Sequence, residues 1–242
     1  MRIKKTTNQF MKKISLLILT LLLIIACGKK EKDLIVKGNI KGLKKGTVYL
    51  KKVKDTVLVT VDSLIINGNS NFELQSDLDS PEIFFLYLDK KSTEKNRIKF
   101  FADKGITEIN TTLKNFNFDA QIKGSKQQKA LEDYQLMISK INNQNLDLIK
   151  EQFEAQKTGD TAKLDSIKKA SDNFLKRKYL YTVNFALNNK NNEIAPYLAL
   201  SEIYNAQVKF LDTINNSLTP EVKASKYGKE LESFIKEIKE NE

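Results

Sequence analysis

From Leu34 to Lys123, apolar residues recur with period two and are interrupted by turn signals at short intervals. Leu34, Val36 and Ile40 alternate with polar residues, and Gly42-Leu43-Lys44-Lys45-Gly46 reads as a turn ahead of Val48, Leu50 and Val53. Val57, Val59 and Val61 alternate again. Leu64-Ile65-Ile66 then runs into Asn67-Gly68-Asn69, a tight-turn signal, with Phe72 and Leu74 on the return strand. A denser run, Ile83-Phe84-Phe85-Leu86-Tyr87-Leu88, follows Pro81, and a polar loop is expected over 90–96. Ile98, Phe100 and Phe101 come next, then Ile106, Ile109 and Leu113, then Phe116, Phe118 and Ile122. The pattern predicts about eight short strands over residues 34–123, arranged as an antiparallel β-sandwich or partly open barrel.

From Ser125 onward the period is helical. Leu131, Tyr134, Ile138, Ile141, Leu148 and Phe153 recur at spacings of three, four or seven. Thr158-Gly159-Asp160 is a break, where Asp160 or Thr161 can cap the next helix, and Leu164, Ile167, Phe174, Tyr181 and Phe185 continue the stripe. Asn188–Asn192 is a polar turn, Pro196 sits in the first turn of a short helix with Leu198, Leu200 and Ile203, and Thr219-Pro220-Glu221 opens another helix. Tyr227, Leu231, Phe234, Ile235 and Ile238 form one face of the last helix. Residues 124–242 are therefore a predicted helical region, and the fold class is α+β. The stripes are expected to be buried, with the helices packed on each other and on one face of the β unit.

The N-terminus has a different pattern. Lys12 and Lys13 precede an apolar run, Ile14 to Ala26, that is too short for a spanning helix of ~20 residues and suits a signal-peptide core of ~7–15. The run ends in Ile24-Ile25-Ala26-Cys27-Gly28, which resembles a lipobox with Ile24 in the place usually held by Leu. The resemblance implies a signal peptide over 1–26, cleavage before Cys27, lipid on Cys27 and a charged tether over 27–33. Met11-Lys12-Lys13 alone would open such a peptide, which makes Met11 a second candidate start. Two or more acyl chains at one residue give stable anchoring. Gly28, where an aspartate would signal inner-membrane retention, favours the outer membrane, so a cell-envelope, lipid-anchored location is expected.

The motifs Val36-Lys37-Gly38-Asn39-Ile40, Gly46-Thr47-Val48-Tyr49-Leu50, Asp62-Ser63, Asn67-Gly68 leading to Phe72, and Lys123-Gly124-Ser125 resemble a domain of Bacteroidota lipoproteins known as the domain of unknown function number 4369. Many of these relatives carry a helical segment and then a thioredoxin-like domain. The resemblance implies the β fold and no chemistry. The Trp-Cys-x-x-Cys motif of the thioredoxin-like part does not occur in these residues, so the relatives' redox activity is not expected here.

Charge and composition narrow the chemistry further. The formal net charge is +11, but five of the 41 basic residues (Arg2, Lys4, Lys5, Lys12 and Lys13) and none of the 30 acidic ones precede Cys27, so the remainder carries +6. Lys44-Lys45, Lys51-Lys52 and Lys90-Lys91 read as solvated strand edges. There is no histidine and one cysteine, which excludes the usual general base, a dithiol pair and a His/Cys metal site. No metal, cofactor, catalytic residue or nucleic-acid partner is expected, and the carboxylate pairs Glu31/Asp33 and Glu237/Glu240 read as tether and helix surface. Asp-Ser/Thr followed by Ala or an aliphatic residue occurs at Thr56, Ser63, Thr161, Ser166 and Thr213, and resembles the O-glycosylation acceptor motif of Bacteroidota envelope proteins. The alternative role of these pairs is capping and turn formation.

The leading expectation is a non-enzymatic envelope lipoprotein, bound to the membrane through Cys27 and docking a protein partner such as a separately encoded thioredoxin-like protein. The alternatives are binding of a small glycan, peptide or lipid, and an unrecognised hydrolase, which a cleft gathering carboxylates with Ser, Thr or Tyr would favour.

Overall fold

The computed structural model describes residues 32–89 and 96–241. The expected signal peptide, Cys27, most of the tether, Lys90-Lys91 and all but the last residue of the 90–96 loop lie outside them. The compact unit opens at Asp33, whose carbonyl accepts from the Gly105 amide (2.7 Å) and whose carboxylate accepts from the Leu78 amide (3.2 Å) and Lys104 Nζ (3.2 Å).

Eight strands form two four-stranded sheets. They are β1 (Leu34–Lys41), β2 (Lys45–Lys54), β3 (Val57–Asn67), β4 (Asn71–Ser76), β5 (Glu82–Leu88), β6 (Arg97–Ala102), β7 (Gly105–Thr112) and β8 (Gln121–Lys123). The first sheet has the order β4-β1-β7-β8 and the second β3-β2-β5-β6. Alternation puts Leu34, Val36, Phe72, Leu74 and Ile109 of one sheet against Val48, Leu50, Phe84, Leu86 and Phe100 of the other in a single core. β5 reads as a continuous apolar run from Ile83 because all seven of its residues, Glu82 included, are buried: Phe84, Leu86 and Leu88 face the sandwich core, and Ile83, Phe85 and Tyr87 face the helices.

The sandwich is not wholly antiparallel, since β1 and β7 pair in parallel from Leu34↔Gly105 to Lys41↔Thr112. Period-two patterning assigns faces and leaves strand direction open, and a parallel pair needs a long connection, here the whole of β2–β6. Gly38 is fixed by this pairing, because a β-carbon there would collide with the Ile109 carbonyl. β2 lies inside its sheet, so Lys51-Lys52 is not on an edge strand: Lys51 Nζ sits 4.4 Å from the Tyr87 ring centre, and Lys52 is paired with Glu82. Phe118, expected in a strand, is 86% exposed in the turn after β7.

Six helices follow: α1 (Lys126–Thr158), α2 (Thr161–Asn188), α3 (Ile194–Glu202), α4 (Val208–Ser217), α5 (Pro220–Ala224) and α6 (Lys226–Asn241). Ser125 caps α1 by accepting from the Gln128 amide (3.0 Å), Asp160 caps α2 by accepting from Lys163 N (2.9 Å), and Gly159 closes α1 at φ 69°, a left-handed conformation costly for other residues. Leu131, Tyr134, Ile138 and Ile141 of α1 pack on Ile83, Phe85, Tyr87 and Phe101, covering one face of the second sheet. A third cluster joins α2, α3, α4, α5 and α6 around Leu211, Ile214 and Leu231. One helical detail differs from the sequence expectation: α4 carries no helix signal in the pattern above. The helix opened at Thr219 ends at Ser225, whose carbonyl and side chain cap the start of α6.

Candidate functional site

β2 and β5 are paired as far as Lys52↔Phe84, after which they diverge. The divergence leaves backbone groups without a strand partner, and the first two residues of α6 take them up. Tyr227 Oη accepts from the Ile83 amide (3.0 Å), and Lys226 Nζ donates to the Val53 carbonyl (2.9 Å). Lys226 Nζ also meets Glu82 Oε2 at 2.6 Å, while Lys52 Nζ meets Glu82 Oε1 at 2.8 Å. Glu82 is almost fully buried, and two ammonium groups compensate its charge. Phe101, Tyr197 and Tyr227 close one wall, with ring centres 5.2–5.9 Å apart.

Two adjoining cavities of about 430 and 300 Å³ lie here and share Val53, Asp55, Lys226 and Glu230. The cleft gathers Asp55, Asp79, Glu82 and Glu230 with Ser80 and Tyr227, the grouping that would favour a hydrolase. Three of these groups, Ser80, Glu82 and Tyr227, are nevertheless engaged in holding the fold. Ser80 Oγ accepts from the Lys226 backbone amide (3.2 Å), Glu82 is ion-paired, and burial pushes the Tyr227 hydroxyl well above the usual tyrosine range, which opposes its use as a base. Glu82 could have been noticed in the sequence as a lone acid at the head of an apolar run. Its partners could not, since Lys52 and Lys226 lie 30 and 144 residues away from it in the chain.

The second distinctive surface is the α1–α2 hairpin. α1 has 33 residues and is therefore about 50 Å long. Beyond Ile141, Ala155 is its one fully buried residue. Phe153, expected in the core, is 60% exposed, and Leu148 is half-buried. The seam facing α2 is too narrow to cover the whole apolar face, so Leu146 (62%), Ile149 (40%) and Phe153 form an open stripe at spacings of three and four.

The sequence-predicted modification sites are not gathered into one place. Thr56 lies in the β2–β3 turn, Ser63 on β3, Thr161 and Ser166 in the first turns of α2, and Thr213 on α4, where its hydroxyl donates to the Lys209 carbonyl (2.7 Å). All five are exposed. Among the described residues no group of three or more His, Cys, Asp or Glu is placed to hold a metal ion, and no helix is long and apolar enough to cross a membrane.

No curated protein matches the sequence. Residues 34–131 match the profile of a family described as Domain of unknown function (DUF4369). This stretch is a DUF4369 domain. It takes in all eight strands, the Ser125 cap and the first turns of α1. The DUF4369 domain supplies Lys52, Val53 and Glu82 to the cleft, while Lys226, Tyr227 and Glu230 come from the helices that follow it. The open stripe at Leu146, Ile149 and Phe153 lies outside the matched residues.

Proposed function

We propose that the protein is a non-catalytic binding module of the cell envelope, lipid-anchored through Cys27 and docking a partner protein along the α1–α2 hairpin. The observation that carries the docking role is the stripe of Leu146, Ile149 and Phe153, apolar side chains left open on a helix already stabilised by caps and by its packed first half. Aligned anchors of this kind suit a groove or helix on a partner. The resemblance of the β unit and the following helices to the front part of thioredoxin-like lipoproteins makes a thioredoxin-like protein the partner of choice. The anchor rests on the lipobox-like ending at Cys27.

A photoreactive residue at position 149 of the full chain in native membranes tests the docking. A covalent adduct with a thioredoxin-like protein, absent when the same group replaces Lys37 on the far sheet, is the expected result. An adduct with a second copy of this chain, or none, would overturn this partner assignment. Intact mass of the native protein tests the anchor: acyl chains on Cys27 are expected, and an unmodified cysteine would contradict it.

A further inference from the structure

The outer face of the first sheet carries four residues in register across all four strands: Asn71 on β4, Asn39 on β1, Asn110 on β7 and Gln121 on β8. Asn is disfavoured within strands, so three in one cross-strand row are not explained by strand formation. The next row, Glu73-Lys37-Glu108-Lys123, alternates in charge and has an ordinary explanation in cross-strand pairing. Part of the amide row is internally bonded. Asn39 Nδ2 donates to Ser70 Oγ (2.8 Å) and Asn71 Oδ1 (2.7 Å), Asn110 Oδ1 accepts from the Asn39 amide (3.1 Å), and Asn110 Nδ2 donates to Glu108 Oε1 (2.6 Å). These bonds hold the amides in fixed orientations. They leave Asn39 Oδ1, Asn71 Nδ2 and both ends of the Gln121 amide without a protein partner among the described residues. A cavity of about 470 Å³ lies over Asn39, Asn110, Thr112, Asp119 and Gln121. Thr112 Oγ1 holds the Asp119 carboxylate at 2.7 Å, and the ring of Phe118, next to Asp119, stands 86% exposed.

We infer that this row is a binding site for a short neutral oligosaccharide. A sugar ring offers adjacent hydroxyls, each both donor and acceptor, and a carboxamide offers a donor and an acceptor side by side. Four strands at ~4.8 Å spacing set the row at about 14 Å, long enough for more than one ring lying across the strands. Asp119 supplies a carboxylate acceptor for a further hydroxyl pair, and the exposed ring of Phe118, outside the cavity lining but next to Asp119 in the chain, offers an apolar surface for the C–H face of a sugar that reaches beyond the cavity. Asp119 and Glu108 repel an anionic ligand, and Lys41 at the cavity edge opposes a cationic one. The site is on a sheet face that the described helices leave exposed, and it is independent of the hairpin.

The test is calorimetric titration of the full chain, held in a polyoxyethylene detergent free of sugar headgroups, with maltotriose, cellotriose, chitotriose and mannotriose. Sedimentation with insoluble amylose, cellulose and chitin serves as the polymer arm. Binding of at least one probe is expected, weakened about tenfold by Gln121→Ala and by Phe118→Ala and unchanged by Lys54→Ala on the other sheet. Both test positions are exposed, so the variants should melt as the parent does. Binding of trisaccharides would identify a free-glycan site, and binding of polymer alone a site for extended chains. Failure of every probe, or binding indifferent to Gln121→Ala and Phe118→Ala, would overturn the inference.

Discussion

Replacing Tyr227 by Phe removes one oxygen atom and tests how the two halves of the molecule are joined. Tyr227 is 8% exposed, and its ring packs against Phe101 and Tyr197, contacts that phenylalanine keeps. What is lost is the acceptor for the Ile83 amide, 3.0 Å away at the point where β2 leaves β5. A buried N–H left without a partner costs about 1–3 kcal/mol. For a unit of this size each kcal/mol lowers the melting temperature by about 2–4 °C, so the variant should melt roughly 2–12 °C lower. Urea unfolding gives the free energy directly, with Tyr204→Phe, an exposed tyrosine, as the control expected to stay within about 0.5 kcal/mol. The pH dependence adds a second signature. Burial raises the Tyr227 pKa above its unfolded value, so the contribution is fully present below the unfolded value of about 10 and is lost as pH rises past it. The deficit of Tyr227→Phe should therefore shrink above about pH 10. A loss below about 0.5 kcal/mol at pH 7 would refute the view that α6 closes the strand fork.

Gly38→Ala should destabilise by about 1–3 kcal/mol or prevent folding, because its β-carbon meets the Ile109 carbonyl; parent-like urea unfolding would contradict the close β1–β7 approach. Asp160→Ala should cost about 0.5–2 kcal/mol, seen as faster hydrogen exchange in the first turn of α2, and unchanged exchange would remove the capping role. Burial, with the nearby Asp103 and Glu221, raises the Glu193 carboxyl above its ordinary pKa, so the folded state favours its protonated form and loses stability as pH rises through that range. Glu193→Gln should accordingly raise the melting temperature at pH 7, with the gain disappearing toward pH 4, and a variant less stable at pH 7 would contradict the sign.

The strands were legible because each has one face on a common core. β4, Asn71–Ser76, alternates exposed and buried without a break, and the unbroken run of β5 marks a strand covered on both sides. The caps at Ser125 and Asp160 were legible because they act within one turn of chain. Strand direction was not, since β1 shows the same alternation in either sense. Phe118 and Phe153 were assigned to buried surfaces by period alone. Burial depends on whether another element lies opposite, and among the described residues none covers either ring enough to bury it. The five candidate modification sites are accessible, but local sequence does not decide between acceptor and cap. The amide row was invisible because Asn39, Asn71, Asn110 and Gln121 are aligned only by register.

The docking role is tested most directly by the affinity of a purified thioredoxin-like partner for the full chain and for its Leu146→Ser/Ile149→Ser/Phe153→Ser variant. The three side chains are exposed, so the variant should unfold at the parent's urea midpoint. If the stripe is the docking surface, losing three apolar contacts of about 1 kcal/mol each weakens binding on the order of 100-fold. An unchanged affinity, with the fold intact, would contradict docking along the hairpin.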